Sequence, residues 1–137
     1  MAKKLEGAGL RGQVAGETSL CTVGQEEGLA YRGHKIEILA EKGTFEEVAY
    51  LLLYGKLPTI SELKSFNSSL KSSRNIPNEV IDIIKSLKDS HPMDVLRTAV
   101  SALSSFDEEA GDKSYDATMR KGIRLTSQVP TIVMAHN

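Results

Sequence analysis

The sequence predicts a mostly helical domain with a small β-hairpin near its N-terminus. Three observations predict it. Apolar residues recur at helical spacing through most of the chain after residue 35. Thr-x-x-Glu capping signals stand in front of two of those runs. A short alternating stretch bounded by glycines precedes them. With 137 residues the chain is long enough for one domain with a core. Its 40% hydrophobic and 26% charged residues are those of a globular rather than a disordered chain.

Residues 1–16 are glycine-rich, with Gly7, Gly9, Gly12 and Gly16, and read as an extended arm. Ser19 to Val23 alternates small polar and apolar residues, Gly24 to Gly28 is a turn, and Leu29 to Arg32 is the return strand. A lone hairpin is marginal in water, so it should lie against the helical body. Ile36, Ile38 and Leu39 mark a short helix ending near Gly43.

The stretch Thr44 to Thr59 carries the strongest helix signal. Phe45, Val48, Ala49, Leu52 and Leu53 fall at i, i+3, i+4, i+7 and i+8, the stripe of a core-facing helix. Thr44 and Glu47 form a capping box, Gly55 suits the left-handed C-terminal cap, and Pro58 blocks continuation. Burying the four large side chains of the stripe would contribute roughly 6–12 kcal/mol as an upper estimate, against about 1 kcal/mol for the cap. The helix therefore needs a partner surface.

Thr59 and Glu62 form a second capping box ahead of Leu63, Phe66 and Leu70. After a loop at 72–75, Pro77 suits a first helical position, and Val80, Ile83, Ile84 and Leu87 repeat the spacing. His91-Pro92 opens another helix, with Leu96, Ala99, Val100, Leu103 and Phe106 on its inner face. Asp107 to Asp112 is an acidic loop in which Glu108 and Glu109 read as solvated charge. From Ser114 the residues Tyr115, Met119, Ile123, Val129, Ile132 and Val133 line one long helix, interrupted by Gly122 and Pro130. Its apolar end runs straight to Asn137, which leads to the expectation of a longer parent chain.

Composition narrows the function classes. A net charge of −1 without a basic block gives no electrostatic support for nucleic-acid or anionic-membrane binding. No apolar run approaches the roughly 20 residues of a membrane span, and no apolar h-region follows Met1-Ala2-Lys3-Lys4. The single Cys21, expected to be a buried and inert thiol, fits a reducing cytoplasm. The histidines His34, His91 and His136 have no ligand partner at helical spacing, so no metal site is expected. His91, before Pro92, is expected to cap or pack rather than to catalyse. The glycines from Gly7 to Gly16 do not join a strand to a helix and are no phosphate-binding loop.

Several stretches taken together resemble the citrate synthase family. They are Gly9-Leu10-Arg11-Gly12 with Gly16-Glu17-Thr18, Leu29 to Ile36, Phe45 to Leu53, Gly55 to Thr59, His91 to Thr98, and Pro130 to Val133. Within the family, the Ser19 to Gly24 strand and the His91 to Thr98 helix are most similar to the 2-methylcitrate synthases, with the citrate synthases as the close alternative. The resemblance implies that residues 1–137 are the N-terminal segment of the large helical domain, with arm and hairpin over about 1–33 and helices over about 35–137. It implies a homodimeric transferase that condenses an acyl-CoA with oxaloacetate and needs no further cofactor. The family's catalytic histidines and aspartate lie beyond the end of this segment, so no catalytic residue is assigned here. Arg11, a basic residue of the N-terminal arm, is the one candidate ligand residue, for a CoA phosphate. An alternative of another class is a stand-alone helical module that binds a partner without catalysis.

Overall fold

The computed structural model describes residues 16–24 and 28–136. The arm over 1–15, the tip of the first turn at 25–27 and Asn137 lie outside the described residues. A three-stranded antiparallel sheet, β1 (Cys21–Gly24), β2 (Gly28–Tyr31) and β3 (His34–Lys35), is followed by six helices. These are α1 (Ile36–Lys42), α2 (Phe45–Tyr54), α3 (Ile60–Ser72), α4 (Asn78–Ser86), α5 (Pro92–Leu103) and α6 (Tyr115–His136). The expected hairpin is present, with Cys21 opposite Tyr31 and Val23 opposite Leu29. The third strand was not expected. It forms because Arg32 and Gly33, both at positive φ (49° and 84°), make a two-residue turn with the twist that antiparallel strands favour.

Both capping boxes are formed. The Thr44 hydroxyl accepts from the Glu47 amide at 3.3 Å, and the Glu47 carboxylate accepts from the Thr44 amide at 2.8 Å. Thr59 and Glu62 repeat the arrangement at 3.3 and 2.8 Å. Gly55 closes α2 at φ 80°, donating its amide to the Leu51 carbonyl. Pro77 stands one position earlier than expected, at the N-cap of α4, where its carbonyl accepts from Val80 and Ile81.

The core is two clusters bridged by α6. One holds Ile76, Val80, Ile84, Val95, Ala99, Leu103 and Ile132, from α4, α5, the α3–α4 loop and the end of α6. The other holds Tyr50, Phe66 and Leu70 from α2 and α3, against which Ile123 of α6 packs. Tyr50 and Tyr54 stack at 4.3 Å, and Phe66 meets both edge-on.

Several faces differ from the expected ones. Leu51 is fully buried and Tyr50 nearly so, while Phe45 is 67% exposed. Every residue from Val48 to Tyr54 is apolar or aromatic, so periodicity alone could not choose the inward face. On α5, Val95 is buried and Phe106 is exposed, because a short 3-10 turn at Ser104–Phe106 breaks the helical register before Phe106. On α6, Ala117, Ser127 and Ile132 face inward, whereas Tyr115 and Val133 are exposed. Replacing Leu51 by Ala should lower stability by about 2–5 kcal/mol, while Phe45→Ala should stay within about 0.5 kcal/mol. Urea denaturation of the two variants checks this, and equal losses would contradict the assigned face.

Candidate functional site

The most densely connected polar group lies where the acidic loop after α5 meets α6. Arg120, Lys121 and Arg124 fall within five residues of one helix and point back at the loop. Arg124 donates to both oxygens of Asp107 at 2.8 Å and to Glu109 at 2.7 Å. Arg120 donates from Nε to Glu109 at 2.8 Å and also from its terminal nitrogen. Lys121 donates to the carbonyls of Ala110 and Asp112. The Ser114 hydroxyl then accepts from the Ala117 amide at the start of α6, at 3.3 Å.

These contacts set the protonation states. The Arg120 and Arg124 guanidiniums hold the Glu109 carboxyl at about 2, and Arg124 lowers Asp107 as well. A general base works best with a pKa near the operating pH, so carboxylates this acidic and this fully engaged are poor proton acceptors. The cluster is a clamp that fixes the loop, not an acid–base pair. Sequence reading treated Glu109 as solvated charge; the structure corrects this, since Glu109 joins two arginines of α6. The signal that could have found it is Arg120 and Arg124 at i, i+4 on one helix face, just after a loop carrying four carboxylates within six residues. Glu108 remains exposed and unpaired among the described residues, as expected.

Beside the clamp lies a groove of about 520 Å³ with a floor of Pro77, Val100, Leu103, Phe106 and Leu125. A second groove, about 410 Å³, runs between Phe45, Leu70, Pro130 and Met134. Both combine these apolar side chains with polar and charged ones, Asp107, Lys121 and Arg124 in the first and Glu46, Arg74 and Thr126 in the second.

The sequence-derived candidates do not converge. Arg11 lies outside the described residues. His91 is the N-cap of α5, where its Nδ1 accepts from the Met93 amide at 3.2 Å, the expected capping role. His34 sits in β3 and His136 ends the described part of α6, so the three histidines occupy separate elements. Cys21 is a free thiol, half-buried rather than buried as expected, because β1 is an edge strand. Among the described residues, no group of three or more His, Cys, Asp or Glu side chains could hold a metal ion. No described helix is long and apolar enough to cross a membrane.

With this scaffold in view, the comparisons decide the family. A sequence model described as citrate synthase, C-terminal domain, matches residues 9–137. The chain belongs to the citrate synthase family. It is 46% identical over 134 residues to a 2-methylcitrate synthase of Shewanella oneidensis, covering 96% of this chain and 35% of that one. It is 41% identical to a citrate synthase of Deinococcus radiodurans, covering 94% and 35%. The chain thus spans about a third of the length of the curated relatives it matches. The citrate synthase of Pyrobaculum aerophilum superposes with a TM-score of 0.86 at 33% identity, over 93% of this chain and 35% of that one. That of Thermoplasma acidophilum, solved as a ternary complex with carboxymethyl coenzyme A and oxaloacetate, gives 0.81 at 27% identity over the same shares.

The clamp has a defined pH signature. Glu109 has a folded pKa of about 2, below its usual value near 4.5. Its contribution is therefore present in full above the unfolded pKa and lost as pH falls from about 5 towards 2. Glu109→Gln should flatten the acid limb of the stability curve, measured as urea midpoint against pH. Arg124→Ala should cost roughly 1–3 kcal/mol, because it leaves Asp107 without its arginine and removes one of the two arginines from Glu109, while Arg97→Ala, in an exposed pair with Asp94, should cost no more than about 1 kcal/mol.

Proposed function

We propose that this chain is the N-terminal segment of the large helical domain of a 2-methylcitrate synthase, an acyl-CoA:oxaloacetate C-acyltransferase. The whole enzyme condenses propionyl-CoA with oxaloacetate to give 2-methylcitrate and CoA. The observation that supports this reading is the 46% identity to the Shewanella enzyme, above the 41% to the Deinococcus citrate synthase. In this reading the segment supplies scaffold and part of a homodimer surface, Arg11 reaches a CoA phosphate, and the enzyme serves propionate catabolism in the cytoplasm.

Enolising a thioester requires a base near its α-carbon and hydrogen-bond donors at the developing oxyanion. The described residues assemble no such set. The two best-organised carboxylates are held by arginines, and His91 is spent on a helix cap. The base and donors therefore belong to the remainder of the enzyme. Exposed Phe45, Met134, Leu125 and Phe106 beside the two grooves fit a scaffold that packs against further protein.

A second reading, a citrate synthase using acetyl-CoA, is supported by the Deinococcus relative and by the Pyrobaculum and Thermoplasma structures. The donors differ by one methylene, which a pocket discriminates by roughly 1–3 kcal/mol. The full-length gene product should therefore favour propionyl-CoA over acetyl-CoA by about 10-fold or more in kcat/KM. The reverse preference would establish the second reading. Residues 1–137 purified alone should release no CoA from either thioester with oxaloacetate, followed as free thiol. Turnover above the blank in material free of host enzyme would show that catalytic groups reside in this segment.

A further inference from the structure

We infer that the groove between α2, α3 and α6 is the seat of a segment of the same polypeptide from beyond residue 137, which inserts an apolar side chain and hydrogen-bonds Ser127 and Thr126. The inference rests on the part of the reading above that makes this chain one portion of a longer synthase, and it names where and how the remainder docks. The site itself is built of described residues: Phe45 of α2, Leu70 of α3, and Thr126, Ser127, Pro130 and Met134 of α6.

Two polar groups on this face of α6 lack partners. Ser127 is the one buried polar side chain among the described residues, 7% exposed, and its hydroxyl has no hydrogen-bond partner among them. The Ser127 carbonyl is served, since it accepts from the Thr131 hydroxyl, so only the side chain is stranded. A buried hydroxyl without a partner costs about 1–3 kcal/mol. The second group follows from Pro130. Proline has no amide, so the Thr126 carbonyl four residues earlier loses the partner that a regular helix gives it. Thr126 and Pro130 lie one turn apart and both line the groove, which puts the freed carbonyl on that side. The Thr126 hydroxyl is already used, donating to the Gly122 carbonyl at 2.7 Å. A stranded hydroxyl beside a freed carbonyl is what an incoming stretch of main chain satisfies, with one C=O and one N–H.

The walls of the groove point to the same occupant. Met134 is 70% exposed and Phe45 67%, across a space of about 410 Å³. Glu46 and Arg74 line the groove too, and neither joins an ion pair among the described residues. Their opposite signs leave the groove without net charge, which suits a neutral stretch of chain better than a charged small ligand. An apolar centre with a polar margin is also the anatomy of a protein contact. The chain spans about a third of the length of its curated relatives, so the longer synthase has about two thirds of its polypeptide at hand to fill the groove. A tethered segment docks at an effective concentration of about millimolar and avoids the association cost of a separate partner.

The test uses the full-length enzyme in three arms. First, Met134→Cys is labelled with N-ethylmaleimide and read on the peptide that carries residue 134, against a free peptide of residues 128–137 with the same cysteine. Labelling should be at least about tenfold slower in the folded enzyme, because the thiol is covered. Second, photo-methionine replaces methionine in enzyme co-assembled from light and heavy-nitrogen chains. Cross-links from position 134 should reach residues beyond 137 and carry a single isotope label. Third, Ser127→Ala should lower the Tm by about 2 °C or more, because the hydroxyl is bonded once the segment is seated. Labelling at the rate of the free peptide would show an open groove and overturn the inference. Mixed-label cross-links would assign the groove to a second copy and overturn it as well. An unchanged or raised Tm in Ser127→Ala would show that the hydroxyl stays unpaired, which overturns the docked geometry. Absence of condensation with either thioester would overturn the reading above but not the docking, which the cross-links decide by themselves.

Discussion

Helix α6 has to satisfy two cores at once, and the rest of the molecule depends on that. Ile123 packs on the aromatic cluster of α2 and α3, and Ile132 completes the aliphatic cluster of α4 and α5. Nine residues separate them, about 13 Å along the helix axis at the usual rise. Gly122 permits the close approach to α2, since a Cβ there would come 3.3 Å from Leu53 Cδ2. Pro130 sits inside the helix and removes one backbone bond, a cost of about 3 kcal/mol or more. Fully burying Ile132 contributes roughly 1.5–3 kcal/mol, and the Thr131 hydroxyl adds a bond to the Ser127 carbonyl at 3.1 Å. These terms are comparable, so the helix persists through the proline because its far end is packed.

Electrostatics then fixes what packing leaves loose. The loop after α5 has little apolar content to bury, yet α6 cannot be aligned unless its N-terminal end is held. Arg120, Lys121 and Arg124 hold it through carboxylates and main-chain carbonyls of that loop. Arg32 does the same on a smaller scale for the sheet, meeting an unsatisfied carbonyl at the end of α2. In both places a guanidinium with several donors in a fixed plane joins an irregular segment to a helix. Neither is a catalytic constellation.

Local signals were legible in the sequence wherever one or two residues decide a local geometry. The capping boxes at Thr44 and Thr59, the Gly55 cap, the His91 cap and the hairpin all formed as their residues specify. The family resemblance was legible because its motifs are short contiguous stretches in order along the chain. The candidate site was less so. Arg11 could be named only by resemblance, and the side-chain partners in the clamp are eleven to seventeen residues apart, beyond the reach of local periodicity.

The sequence by itself determined where α2 starts and stops and where α3 and α5 start, because capping and turn chemistry act over three or four residues. Only the tertiary structure decided which face of each helix is inside. In α2, seven consecutive apolar or aromatic residues offer several equivalent stripes, and packing against α3 and α6 selects Tyr50, with Leu51 buried and Phe45 left exposed. It also decided that Glu109 is a partner rather than a solvated charge, because its arginines lie eleven and fifteen residues away and meet it only once α6 folds back. Burial and long-range ion pairing depend on what arrives from elsewhere in the chain, and local periodicity carries no record of that.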